Sequence, residues 1–213
     1  QSFYNEEACV VDPTPNVPIA PNTAMSIAEV LPAATATTTI QGGTPTTRGI
    51  KVGRNALELQ ASTQPAVILL VTDGAANCGS TAQTVTELFE VYDEDLVPLI
   101  ADTLAAGIPT YVVGIAIADE ISGPQQDGSP DNTNTYEQLN EAALAGGVPR
   151  PGPEAFHNCH NELELAAAFR DILPPLVPCS LDLAQVPANP QNFSVTVAGI
   201  DYGALPLASC AEG

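Results

Sequence analysis

Positive charge is scarce in this chain: 5 of its 213 residues are Lys or Arg, against 25 Asp or Glu, for a net charge of −20. A field of that sign repels phosphate backbones and anionic membrane surfaces, and it favours cations or basic partners. Most of these acids read as a solvated surface of the kind that keeps a secreted protein in solution. No apolar run is long enough to span a bilayer. No basic segment followed by an apolar stretch opens the chain, so no signal peptide is visible. Gln1 is not an initiator methionine, which points to a processed chain or an excerpt. There is no Cys-x-x-Cys, and the spacings of the cysteines fit no zinc pattern. No serine sits in a Gly-x-Ser-x-Gly elbow, so a nucleophilic hydrolase is not expected.

What is present argues for a packed fold. The hydrophobic fraction is 45% and the mean hydropathy +0.11, which sets the chain apart from disordered sequences. Cys9, Cys78, Cys159, Cys179 and Cys210 lie in loop-like or strand-end contexts. Disulfides explain them best, and imply an oxidising, extracytoplasmic compartment. An odd count leaves one thiol over.

Along the chain, residues 1–24 are proline-rich and irregular, with a possible edge strand at Asn16 to Ala20. Pro18 would bar that piece from the middle of a sheet. A short helix is predicted from Ala24 to Leu31 with Thr23 as N-cap. A threonine-rich connector leads to Gly42-Gly43, and a helix follows from Thr46 to Ala61 with Ile50, Leu57 and Ala61 on one face. The run Ala66 to Thr72 reads as a strand buried on both faces of a parallel sheet, delivering Asp73 to the carboxyl edge.

Helical sequence then runs from Thr81 to Tyr92. A further helix carries Val97, Ile100 and Leu104 inward and closes at Ala106-Gly107. Pro109 to Ile117 is a second buried strand. After a polar loop from Asp119 to Asn134, a helix from Tyr136 to Ala145 stops at Gly146-Gly147. A brief strand is predicted at Ala155-Phe156. The last helix, Glu162 to Leu173, turns Leu165, Phe169 and Ile172 inward and ends at Pro174-Pro175. Strand–helix alternation of this kind indicates a doubly wound, mostly parallel, Rossmann-like α/β sheet. Ser180 to Val186 and Asn192 to Ala198 alternate like antiparallel strands. The expected organisation is therefore an α/β domain over residues 1–177 and a small β appendage over 178–213.

Two short stretches carry the chemistry. Gly42-Gly43-Thr44-Pro45-Thr46 places hydroxyls in a glycine-loosened loop ahead of a helix. Val71-Thr72-Asp73-Gly74 ends a buried strand on a carboxylate, where ligands gather in open α/β sheets. Thr44 and Asp73 are oxygen donors of the sort a hard divalent cation takes.

The ordered pair resembles the von Willebrand factor A domain, whose metal-ion-dependent adhesion site uses an Asp-x-Ser-x-Ser loop, a Gly-x-Thr-x-Thr loop and a Thr-Asp-Gly turn. The resemblance covers roughly residues 10–175, and Tyr111-Val112-Val113-Gly114-Ile115 and the helix Leu139 to Leu144 agree with it. Val17-Pro18-Ile19-Ala20-Pro21-Asn22, Thr72-Asp73-Gly74-Ala75-Ala76-Asn77-Cys78 and the cysteine-bracketed tail are similar to secreted or lipid-anchored A-domain proteins of myxobacteria and relatives.

The resemblance implies that Thr44 reaches the metal through its hydroxyl when an acidic ligand is bound. It implies that Asp73 holds it through an ordered water, an arrangement that suits Mg²⁺ (or Ca²⁺ or Mn²⁺). The implied function is an extracellular or cell-surface binding module that captures an acidic group of a protein or matrix partner, without catalysis. The alternative is a structural component of an extracellular assembly whose metal site is incomplete.

One departure from the family is large. No Asp-x-Ser-x-Ser triplet occurs; Asp12-Pro13-Thr14 and Asp127-Gly128-Ser129 lie in polar loops without a preceding apolar run. The chain reads as starting after the family's second strand, without the first strand, its helix and most of the metal-site side chains. Asp73's strand is then expected to lack a neighbour. A preceding segment or an associated chain is expected to complete the sheet and, with it, the metal site.

Other residues invite different chemistry. His157, Cys159, His160 and Glu162 suggest zinc, but a strand-to-helix loop with a disulfide is the preferred reading. Asp93-Glu94-Asp95 reads as a helix-end acid cluster. The Asp119–Asp131 loop misses the EF-hand spacing. Asn192-Phe193-Ser194 is a glycosylation sequon, without meaning in a bacterial protein. Topology favours Cys179 with Cys210 and brings Cys78 and Cys159 to one sheet edge, leaving Cys9 for a partner upstream.

Overall fold

A computed structural model describes residues 6–21, 23–31, 42–60, 65–172, 196–197 and 200–201. The chain divides into two compact units, Gln1–Asp171 and Ile172–Gly213. The first opens with a 3-10 turn at Glu6–Cys9 and continues through α1 (Ala24–Val30), α2 (Thr46–Leu59), β1 (Ile68–Thr72), α3 (Val85–Glu90) and α4 (Leu96–Ala105). It is completed by β2 (Thr110–Ile115), α5 (Thr135–Ala145), β3 (His157–Cys159) and α6 (Glu162–Ile172). The described strands of the first unit form one parallel sheet in the order β1-β2-β3. This is an α/β architecture compatible with a Rossmann-like arrangement. In the second unit, β4 (Thr196–Val197) and β5 (Ile200–Asp201) pair antiparallel. The predicted strand Asn192 to Ala198 overlaps β4, while Ser180 to Val186, Cys179 and Cys210 lie outside the described residues.

The register Ile68↔Thr110, Leu70↔Val112 and Thr72↔Gly114 puts these side chains on one face. Helices α2, α4 and α5 cover that face: Ile50, Leu96, Ile100, Leu139 and Ala142 pack with Val112 and Phe156, and Ile68 and Leu70 lie against the cluster. Gly114 is required here, because a Cβ would come 2.6 Å from the Phe156 ring. Both crossovers end where the sequence expects. Gly107 turns at φ 86° after α4, and Gly147 at φ 77° after α5, the left-handed conformation glycine adopts without a Cβ penalty.

Several expectations are corrected. The apolar run before Asp73 is not buried on both faces: Leu69 is 40% and Val71 46% exposed. Among the described strands β1 is an outer one, and the described helices that touch it cover only the Ile68 and Leu70 side. Residues Asn16 to Ala20 form bends, not a strand; Pro18 has no N–H to offer a ladder, and the Ile19 carbonyl accepts from Gln60 Nε2 at 2.6 Å. The strand predicted at Ala155-Phe156 begins two residues later. Ala155 spends its N–H on Asn140 Oδ1 (2.6 Å) and its carbonyl on the Arg150 N–H (2.7 Å), so pairing starts at His157.

Helical structure predicted from Thr81 is confined to α3. Thr84 caps it, accepting the Glu87 N–H at 3.1 Å, while the Glu87 carboxylate reaches back to the Gln83 N–H at 2.7 Å. The disulfide pairing also differs. Cys9 bonds to Cys78, with Cα atoms 5.4 Å apart, so neither the Cys78–Cys159 bridge nor an upstream partner for Cys9 holds. Cys78 sits at φ 65° in a loop folded onto the 3-10 turn, packed with Phe89. Cys159 lies at the end of β3, beyond β2, and is a buried free thiol.

Candidate functional site

Thr44 and Asp73 come from opposite ends of one helix–strand unit, the loop before α2 and the turn after β1. Both line a groove of about 630 Å³ that follows the outer edge of β1 and is walled by Gly49, Ile50 and Gly53 of α2. The register explains the open side. Ile68 donates its N–H to the Pro109 carbonyl at 2.9 Å, so Ile68, Leu70 and Thr72 face β2. In a parallel ladder the alternate residues then point the other way. The backbone N–H and C=O groups of Leu69 and Val71 face the groove, and β1 pairs with β2 alone among the described residues.

The backbone of Thr44 is held tightly. Its N–H donates to Asn77 Oδ1 at 2.6 Å, and its carbonyl accepts the Asn77 N–H at 3.1 Å. Asn77 is fully buried, and its Nδ2 group is within 2.8 to 2.9 Å of the carbonyls of Gly42, Phe89 and Gly128. Gly42 and Gly43 permit this packing: Gly42 has φ 78°, and a methyl at Gly43 would collide with the Ala8 carbonyl. Arg48 Nη1 donates to the Cys9 carbonyl at 2.6 Å, tying the first turn of α2 to the disulfide. The Thr44 hydroxyl, by contrast, makes no hydrogen bond among the described residues.

Asp73 is exposed at the end of β1, and its carboxylate has no ion pair or hydrogen bond among the described residues. Thr72 behind it is buried, and its hydroxyl closes the turn against Gly74. The site therefore presents a hydroxyl and a carboxylate, both without a hydrogen-bond partner among the described residues, and the Thr44 backbone is bonded to Asn77 at two points. No group of three or more His, Cys, Asp or Glu with metal-binding geometry occurs among the described residues.

The other candidates are occupied by local structure. Asp93 is buried; its N–H donates to the Ala76 carbonyl and its carboxylate accepts the Asp95 N–H at 3.2 Å. In the polar loop, Asp119 accepts from Asn134 Nδ2, Asp127 from the Ser129 N–H and Asp131 from the Gln125 N–H. Asp127 closes its own turn, while Asp119 and Asp131 tie separate parts of the loop together. His157 is half-buried, and burial followed by the Arg150 charge lowers its pKa. Burial raises the Cys159 thiol, with the Glu164 charge adding to it. The Glu164 carboxyl is lowered by hydrogen bonds from the His160 N–H and the Asn161 amide.

Asn77 is the part of the site that motif reading passed over. Its contacts with Thr44 span 33 residues, so no local periodicity reports them. The one signal is an uncharged polar residue beside a cysteine, shortly after the apolar run of β1. No family model matches the chain, and neither does a curated protein or a solved structure.

Proposed function

We propose that the chain is an extracytoplasmic binding module of the von Willebrand factor A type, in which Thr44 and Asp73 contribute to a divalent-cation site that captures an acidic group of a protein partner. One observation carries the reading: the uncommitted Thr44 hydroxyl and Asp73 carboxylate border the same groove at the carboxyl end of a parallel sheet. The donor set fits Mg²⁺, or Ca²⁺ or Mn²⁺, in kind, being hard oxygen throughout. It does not fit in number, since two side chains leave an octahedral ion short of ligands. The remainder comes from water, from the partner's carboxylate and from a strand seated beside β1, supplied by a preceding segment or an associated chain.

Electrostatics support a role for the cation. A chain of net charge −20 repels an acidic partner, and a bound divalent ion reverses the sign of the field locally. Rigid backbone at Thr44 and free side-chain oxygens suit a site that must accept a ligand without reorganising. The Cys9–Cys78 disulfide supports an oxidising compartment, and no helix among the described residues is long and apolar enough to cross a membrane.

Titration with Mg²⁺ by calorimetry tests the proposal, at an ionic strength held constant with NaCl so that screening of the acidic surface contributes equally. Saturable binding that disappears in Asp73→Ala and weakens in Thr44→Ala is the expected outcome. Equal heats from the wild type and Asp73→Ala would favour the structural role without a working metal site.

A further inference from the structure

We draw no further inference here: the strongest candidate, the open apolar edge of β1 where Leu69 and Val71 lie exposed beside the groove walled by α2, carries nothing, because nothing in the structure shows what covers it.

Discussion

At the residue scale, the legible and the illegible sit side by side in the same loops. Thr44 and Asp73 are visible because glycines and an abrupt end to an apolar run mark them in the local sequence. Asn77 is not, since its partners lie on three other segments. The titrating groups allow a test that is independent of any ligand. His157 has a folded-state pKa below its ordinary 6.5, and Glu164 one below its ordinary 4.5. In both cases the unfolded chain binds more protons across the window between the two values, so stability rises with pH there. The His157 contribution is present in full above pH 6.5 and declines as pH falls through its folded value. The Glu164 contribution is retained down to about its unfolded value and is lost below it. The free energy of urea unfolding, followed by circular dichroism at a series of pH values, is therefore expected to fall on acidification in two successive stages. His157→Gln should flatten the upper stage, and Glu164→Gln the lower; a wild-type profile flat below the ordinary imidazole value would refute the first assignment, and one flat below the ordinary carboxylate value the second.

At the element scale, alternation of strand and helix is readable where helices carry local start or stop signals, as α3 and α5 do at their starts and α4 and α5 at their ends. Asn134 caps α5 through the N–H groups of Tyr136 and Glu137, Gly107 ends α4, and Gly147 ends α5. The environment of β1 is a different matter. An apolar run records that a strand has the means to be buried on both faces, but not which neighbours do the burying. Leu69 and Val71 accordingly appear at 40% and 46% exposure beside an unpaired edge, a combination that natural sheets ordinarily cover or blunt. A strand seated there would pair with the backbone of Leu69 and Val71, and its own covering helix would shelter their side chains. Charge placed on this face distinguishes a covered surface from a free one. Leu69→Lys is expected to change the stability of the isolated chain by no more than about 0.5 kcal/mol. If a strand docks on this edge as proposed, the same substitution should abolish that association, measured by sedimentation. A large loss of stability in the isolated chain would mean that the face is already buried.

At the scale of the whole molecule, the chain combines heavy self-repulsion with a core of modest size, and a covalent tie across its first unit offsets part of that cost. The Cys9–Cys78 bond closes a sequence separation of 69 residues, which encloses α1, α2 and β1. A count of five cysteines in the sequence signals disulfides but not their partners, because pairing depends on where the turn after β1 folds. Here Cys78 is carried back onto Glu6–Cys9 by its positive φ and by Phe89, and away from β3. In a chain-entropy account a loop of this length contributes about 4 kcal/mol, chiefly by restricting the unfolded state. Cys78→Ser is therefore expected to lower the free energy of urea unfolding by about that much. It should leave the slope with denaturant lower in the oxidised protein, whose unfolded state is tied and more compact. The bond also anchors the residue after Asn77 and, through the Cys9 carbonyl, Arg48 of α2. Its loss should consequently loosen the Thr44 loop before it unfolds the sheet, read as faster amide exchange at Thr44 than at Val113 in the reduced protein. Equal acceleration at both amides would show that the bond stabilises the unit only as a whole, without a separate hold on the site.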